Sequence, residues 1–281
     1  MNPIRVLVID DSAFMRKMIS EILASDSRIN VIDTARNGED GLKKIQALSP
    51  DVVTLDVEMP VMDGLTTLGR MMESKPIPVI MLSSLTQRGA NQTFQAISMG
   101  AVDFIEKPSG SISLDIEKIK DELISKVLTA SQVKLTKPKF IHKSIETLSK
   151  IQPYSKSVVA IGTSTGGPKA LQAVLQALPK GFPAPILIVQ HMPPRFTKSL
   201  AERLDQTSNL NVKEAVHGDI LKNGTAYVAP GDYHMRARQV GMSIAIDLSQ
   251  DDHVQGHRPS VDVLFRSVVK LKSIIEIAVV L

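Results

Sequence analysis

The chain has 281 residues and a formal net charge of +4; 43% of the residues are hydrophobic and 22% are charged. This composition excludes a disordered chain or a collagen-like fibre, and the length suggests two domains. The absence of cysteine excludes disulfides, thiolate zinc sites and a cysteine nucleophile. No apolar run approaches about 18 residues, and the N terminus reaches Asp10-Asp11 too early for a signal peptide, so we expect a cytoplasmic protein without membrane insertion.

Residues 1–125 alternate between predicted strands and predicted helices. Helical spacing is clearest in the first helix, where apolar residues recur twice per turn: Phe14, Met15, Met18, Ile19, Ile22 and Leu23. Short apolar runs predict five buried parallel strands: Val6–Ile9, Val31–Ile32, Val52–Leu55, Val79–Leu82 and Val102–Ile105. Five such units predict an α/β domain with a five-stranded, doubly wound sheet.

Polar residues stand at the ends of these predicted strands. Asp10 and Asp11 follow the first strand, Asp56 the third, Ser83 the fourth and Lys107 the fifth. In doubly wound sheets, ligands bind at the carboxyl ends of the strands. Three carboxylates there suit Mg²⁺, and a hydroxyl and a lysine suit phosphoryl oxygens. One such aspartate alone is more often a helix N-cap, but the whole set favours a phosphate site with a metal.

This half of the chain resembles a response-regulator receiver domain over roughly residues 3–125, through the motif DVVTLDVEMPVMDG. The resemblance implies that Asp56 accepts a phosphoryl group, which Ser83 and Lys107 then contact. It also implies a Mg²⁺ site with four ligands: Asp10, Asp11, Asp56 and the backbone carbonyl of Glu58. A receiver alone is a switch, so the output must come from the second half.

A basic segment separates the two halves. Residues 126–156 carry seven lysines and one acidic residue, mixed with Ser, Thr and Pro. That composition predicts a linker, which we place at residues 126–154, between a receiver domain at 1–125 and a second domain at 155–281. Because the lysines lie in a linker rather than along one stripe of a helix, we expect no nucleic-acid partner.

The second half begins with a strand, a tight turn and a helix. The strand is Val158–Ile161 and the helix begins near Pro168. Between them, residues 162–166 match G-x-S-x-G, which exposes the hydroxyl of Ser164 on a sharp turn. A glycine-rich turn before a helix also binds phosphates. On the motif alone, a nucleophile, a phosphate loop and a plain turn remain equally open.

The next strand favours the nucleophile. Ile186–Gln190 is apolar up to its last residue and is followed by His191. Parallel neighbours bring their carboxyl ends together, so Ser164 and His191 are expected at one edge, where His191 can act as general base. His253 and His257 are spaced as metal ligands could be, but Gly256 and the polar run around it indicate a loop, and no metal site is expected there.

Four motifs behind the receiver resemble the CheB family of chemotaxis protein-glutamate methylesterases: GTSTGGP, IVQHMP, AYVAPGDYHM and GHRPSVDVLFRS. The resemblance implies a second doubly wound, mostly parallel α/β domain that needs no cofactor in its esterase site. Ser164 and His191 match the first two members of the family's Ser-His-Asp triad. The implied partners are methyl-accepting chemoreceptors, whose glutamate methyl esters and glutamines are the substrates, and a chemotaxis histidine kinase as phosphodonor. In the family, the unphosphorylated receiver covers the active-site cleft.

The family carries its triad aspartate in a glycine-rich loop after a strand that corresponds to Ile274–Leu281, where this sequence stops. We therefore expect an esterase domain that is incomplete at its C terminus. Five other aspartates end no clear parallel strand, and none is expected to substitute: Asp219, Asp232, Asp251, Asp252 and Asp262.

Three functions stay open at this point. The first is a phosphorylation-controlled methylesterase and glutamine deamidase. The second is a catalytically impaired relative that acts as a phosphate-accepting receiver or docking module. The least favoured is a DNA-binding regulator, because the second half predicts strands and a serine turn instead of a helix-turn-helix.

Overall fold

The computed structural model describes residues 2–84, 86–107, 112–133, 157–271 and 277–280. The chain divides into two compact units, Met1–Lys139 and Phe140–Leu281. Among the described residues, no helix is long and apolar enough to cross a membrane.

The first unit is built on a five-stranded sheet with the order β2-β1-β3-β4-β5, and every neighbouring pair is parallel. Its strands are β1 Ile4–Ile9, β2 Ile29–Ala35, β3 Val52–Asp56, β4 Val79–Ser83 and β5 Asp103–Glu106. Its helices are α1 Ala13–Ala24, α2 Gly38–Leu48, α3 Gly64–Ser74, α4 Gln87–Met99 and α5 Ile112–Ser131. The five predicted strands are confirmed, with ends that differ by three residues at most.

Helix α1 departs from its predicted apolar face at one position. Met18, Ile19, Ile22 and Leu23 are buried, but the side chain of Phe14 is 54% exposed. Each residue advances about 100° around a helix, which puts Phe14 roughly 100° from the centre of the buried face. The prediction that Phe14 lies on that face is wrong, because the buried stripe is narrower than the apolar pattern.

The predicted linker boundary at residue 126 is too early. Helix α5 continues to Ser131, and Lys126 is a buried residue of that helix. The ammonium of Lys126 donates to the carbonyl of Phe104 at 2.6 Å and lies 2.8 Å from a carboxylate oxygen of Glu122. Composition alone could not place this boundary, because a count of lysines does not distinguish a buried, paired lysine from an exposed one. Residues 134–156 of the predicted linker lie outside the described residues.

The second unit contains a parallel sheet with the order β12-β6-β7-β9-β8 and a separate antiparallel pair, β10-β11. The strands are β6 Val158–Thr163, β7 Ile186–Gln190, β8 Asn211–Glu214, β9 Thr225–Val228, β10 His234–Val240, β11 Ser243–Ser249 and β12 Ile277–Val280. The helices are α6 Gly167–Ala177, α7 Phe196–Thr207 and α8 Val261–Val269. The prediction of a second, mostly parallel α/β unit is confirmed.

Strand β12 lies beside β6. Ile277–Val280 pair in parallel with Val158–Ile161, which confirms the central part of the strand predicted at Ile274–Leu281. The remaining residues of that prediction lie outside the described residues. Helix α8 packs closely on β6 at Gly162, which has no side chain. A Cβ atom at this position would lie only 2.3 Å from the side chain of Val261. The segment that precedes α8 is thereby held near the carboxyl end of β6.

Candidate phosphorylation site and active site

Three carboxylates meet at the carboxyl edge of the first sheet. Strands β1 and β3 are parallel neighbours in which Ile9 pairs with Leu55, so Asp10 and Asp56 are the next residues on adjacent strands. Together with Asp11, each offers an oxygen within 4.8 Å of the others. Asp10 and Asp56 are buried and Asp11 is exposed. Clustered carboxylate oxygens with one solvent-facing member fit Mg²⁺, which keeps part of its water shell.

The lysine that follows β5 contacts two of these carboxylates. The ammonium of Lys107 lies 2.8 Å from Asp10 Oδ2 and 2.8 Å from Asp56 Oδ2. Burial raises the pKa of Asp56 to about 6; Lys107 opposes that rise, and the nearby charge of Asp10 adds to it. Burial lowers the pKa of Lys107, but the two carboxylates raise it by more, so the net direction is upward. Lys107 is therefore a fixed positive charge beside Asp56.

The loop that carries Asp10 and Asp11 is held by two further residues. Arg16 Nη1 donates to the backbone carbonyls of both aspartates at 2.8 Å each. The amide of Ser12 donates to Asp10 Oδ1 at 2.9 Å, and Ser12 also caps α1. These contacts hold the backbone of both aspartates and orient the carboxylate of Asp10, as the supporting residues of a metal site do.

Ser83 and Glu58 complete the predicted set. Ser83 is buried at the end of β4, and its carbonyl accepts from the amide of Lys107 at 2.7 Å, so the two residues are neighbours at one edge of the sheet. The amide of Glu58 donates to Asp56 Oδ1 at 3.3 Å. Coordination by the Glu58 carbonyl stays a prediction. The structure brings Asp10, Asp11, Asp56 and Lys107 together, and a role for the Ser83 hydroxyl stays a prediction as well.

Ser164 lies on the turn between β6 and α6 and is exposed. Gly166 is the N-cap of α6 with a φ of +76°, a left-handed conformation that favours glycine. The amide of Gly167 donates to the carbonyl of Ser164 at 2.8 Å, and Pro168 stands in the first turn of the helix. The turn therefore presents a serine hydroxyl next to a helix N terminus, where backbone amides can stabilise a developing oxyanion.

A buried glutamine ties this turn to His191. Thr163 pairs with Gln190 across β6 and β7, so Ser164 and His191 are the next residues on neighbouring strands. Gln190 Nε2 donates to the carbonyls of Ser164 at 2.9 Å and His191 at 3.2 Å. Its Oε1 accepts from the hydroxyl of Thr163 at 2.7 Å. Sequence reasoning missed Gln190, although a polar residue that ends an otherwise apolar buried strand was the available signal.

A second imidazole lies against His191. The ring of His257 stacks on the ring of His191 with a centroid distance of 3.9 Å and an angle of 11° between the planes. The sequence interpretation weighed His257 only as a metal ligand and missed this contact.

Comparisons with known proteins match both halves of the chain. The response regulator receiver domain model matches residues 6–117, and the CheB methylesterase model matches residues 159–281. An Oceanobacillus iheyensis protein named protein-glutamate methylesterase/protein-glutamine glutaminase is 56% identical over 288 residues, which cover all of this chain and 82% of the relative. The chain belongs to the CheB methylesterase family. The predicted family membership is thereby confirmed.

Other members of the CheB family extend the comparison. The relative of the same name from Bacillus subtilis is 48% identical and covers 99% of this chain and 81% of its own length. The catalytic domain of Thermotoga maritima CheB methylesterase, a crystal structure, is 45% identical and covers 44% of this chain and 67% of its own, with a TM-score of 0.43.

Proposed function

We propose that this chain is a phosphorylation-controlled protein-glutamate methylesterase and protein-glutamine deamidase that acts on chemoreceptors in bacterial chemotaxis. The observation that carries the proposal is the position of Ser164 and His191 at the paired ends of β6 and β7, within the region that matches the CheB methylesterase model. The family's substrate side chains lie on the cytoplasmic helices of chemoreceptors, so the proposal also places the enzyme in the cytoplasm.

The proposed chemistry is acyl transfer through Ser164. His191 takes the hydroxyl proton while Ser164 Oγ attacks the ester carbonyl, and amides at the start of α6 stabilise the oxyanion. His191 then returns the proton to the leaving oxygen, which departs as methanol. Water, deprotonated by His191, releases glutamate and restores Ser164; with glutamine as substrate the leaving group is ammonia. The family carries its third triad member after the strand that corresponds to β12.

The proposed control lies in the receiver. A chemotaxis histidine kinase or a small phosphodonor transfers a phosphoryl group to Asp56, which adds about two negative charges and three acceptor oxygens. Asp10, Asp11 and Asp56 would hold Mg²⁺, which supplies positive charge to the phosphoryl oxygens. Lys107 already contacts Asp56 and can follow the new oxygens, while the hydroxyl of Ser83 can donate to one of them. Movement of Ser83 and Lys107 toward the phosphoryl group would alter the packing around α4 and β5.

The test is methanol release from receptor membranes that carry methyl esters, measured with and without acetyl phosphate. We expect release that acetyl phosphate increases, and no release from Ser164→Ala. Asp56→Asn should keep the basal rate and lose the increase. Exposed residues give the controls: Ser243→Ala and Asp121→Asn should behave as the unmodified chain.

Two results would contradict the proposal. Methanol release that survives in Ser164→Ala removes Ser164 as the nucleophile. A folded chain that accepts phosphate at Asp56 but releases no methanol supports the alternative of a phosphate-accepting receiver or docking module.

A further inference from the structure

The segment between β11 and α8 presents His257 on a tight turn. Val254 and His257 exchange both backbone hydrogen bonds, with N–O distances of 3.2 and 3.1 Å. The two residues between them, Gln255 and Gly256, have φ values of 54° and 78°, and positive φ at both central positions is what a type I′ turn requires. The backbone of His257 is therefore fixed, although its side chain is exposed.

The next residue anchors this turn to the second unit. Arg258 Nε and Nη2 donate to Asp232 Oδ1 at 3.0 and 2.5 Å, and Arg258 Nη1 donates to the carbonyls of Gln250 and Asp251 at 3.0 Å each. The amide of Asp232 in turn donates to the carbonyl of Arg258 at 3.2 Å. One guanidinium thus joins the start of the segment, its end and the loop that carries Asp232.

A buried histidine holds the same segment from inside. The amide of Ser260 donates to His234 Nδ1 at 3.2 Å, so Nδ1 is an acceptor and Nε2 carries the proton. That Nε2 lies 3.0 Å from the carbonyl of Asp252, to which it donates. The segment is therefore fixed on both sides of His257 by side chains that reach into the fold.

His191 is fixed in the same way on the opposite side of the stack. Its amide donates to the carbonyl of Thr163 at 3.1 Å, and its carbonyl accepts from Gln190. These contacts involve backbone atoms of His191, whereas the plane of its imidazole is set by rotation about the side-chain bonds. The orientation of that ring decides which nitrogen faces the nucleophile, and a wrong orientation removes general-base catalysis. A flat ring lying 3.9 Å away and nearly parallel restricts this rotation.

We propose that His257 is a positioning residue, which holds the imidazole plane of His191 by face-to-face stacking so that the ring is oriented toward Ser164. The catalytic consequence rests on the proposed function, whereas the stack itself does not. Because flatness of the neighbour is what matters, His257→Phe should preserve the effect, and His257→Leu, which fills a similar space without a planar face, should remove it. His253→Leu is the matched control, since His253 is an exposed histidine of the same segment.

The first measurement is NMR of the full chain labelled at its six histidines, with the His191 signals assigned by their loss in His191→Gln. A ring stacked on His191 shifts its carbon-bound protons upfield. We expect that shift to disappear in His257→Leu and to remain in His257→Phe and His253→Leu. His191 signals that do not move in His257→Leu overturn the proposal, whatever the activity.

The second measurement is the rate of methanol release as a function of receptor concentration. We expect kcat to fall about 2- to 10-fold in His257→Leu, the range that stacked ring pairs contribute, with KM unchanged and kcat restored in His257→Phe. An unchanged kcat in His257→Leu, or an equal loss in His257→Phe, overturns the positioning role. If the unmodified chain releases no methanol, the proposed function fails and the NMR shift alone decides on the stack.

Discussion

The side-chain amide of Gln190 donates to the backbone carbonyl of Ser164 at 2.9 Å. The same nitrogen donates to the carbonyl of His191, so one buried side chain joins the backbones of the two residues that the proposed reaction uses. The distance between nucleophile and base therefore depends on an interior amide as well as on the pairing of two strands.

Gln190→Leu tests this dependence. Leucine fills a similar volume but removes the hydrogen bonds to the carbonyls of Ser164 and His191, and at about 0.5–1.5 kcal/mol for each bond the loss is about 1–3 kcal/mol. We expect the free energy of unfolding to fall by that amount and kcat to fall about 10- to 100-fold, as for a small misplacement of reacting groups. Urea unfolding and methanol release measure the two effects. Gln176→Leu, on an exposed position of α6, should change neither, and an unchanged kcat in Gln190→Leu contradicts the argument.

Two adjacent glycines in the Ser164 turn should respond differently to alanine. A Cβ atom at Gly167 would lie 1.8 Å from Gln190 Oε1, whereas one at Gly166 has no atom within 4 Å and faces only the strain of a φ of +76°. We expect Gly166→Ala to lower the free energy of unfolding by about 1–2 kcal/mol, the cost of a left-handed residue with a side chain.

Gly167→Ala, at a helical position without that strain, should instead displace Gln190, which costs about 1–3 kcal/mol for overpacking and lowers kcat as Gln190→Leu does. Urea unfolding and methanol release of both variants make the comparison. Equal stability and equal kcat in the two variants would show that the close approach of Gln190 to Gly167 does not matter.

The sequence predicted most of what the sheets bring together. Asp10, Asp56 and Lys107 follow apolar runs, and because parallel strands end at one edge, their meeting followed from the pattern. The same reasoning put His191 beside Ser164. The burial of Lys126 was not predicted, because it depends on interaction partners that composition does not reveal.

The contact between His257 and His191 was not predicted for a different physical reason. It stands 66 positions after His191 in the chain and reaches it from a loop rather than from a strand end. Its approach depends on a type I′ turn and on the ion pair between Arg258 and Asp232, and hydrophobic periodicity carries no information about either.

Asp11 is the member of the carboxylate cluster whose replacement disturbs the fold least, because its side chain is exposed. Asp11→Asn keeps the shape and removes one negative charge, and Mg²⁺ affinity depends on the charge of its few protein ligands. We expect Mg²⁺ to bind roughly tenfold more weakly or worse, a loss of about 1.4 kcal/mol. Calorimetric titration measures this, and labelling by acetyl phosphate should fall in parallel. Asp121→Asn is the control, and unchanged Mg²⁺ affinity in Asp11→Asn would remove Asp11 from the site.

The raised pKa of Asp56 gives the receiver a pH-dependent stability. Because burial raises that pKa from 3.8 to about 6, the folded chain binds more protons than the unfolded chain between these values. In the absence of Mg²⁺, the free energy of unfolding therefore falls as the pH rises from 3.8 to about 6. Above pH 6, the ionised Asp56 carboxylate lowers the free energy of unfolding by its full amount. Asp56→Asn removes this contribution and leaves Lys107 paired with Asp10. We expect the variant to be more stable than the unmodified chain at pH 7, by about 1–3 kcal/mol.

The difference should shrink as the pH falls below 6 and vanish near pH 4. Urea unfolding in EDTA at a series of pH values measures it, with Asp121→Asn expected to follow the unmodified chain. A constant difference between Asp56→Asn and the unmodified chain across this range would mean that the Asp56 carboxyl keeps its ordinary pKa, and that the facing ammonium of Lys107 offsets its burial completely.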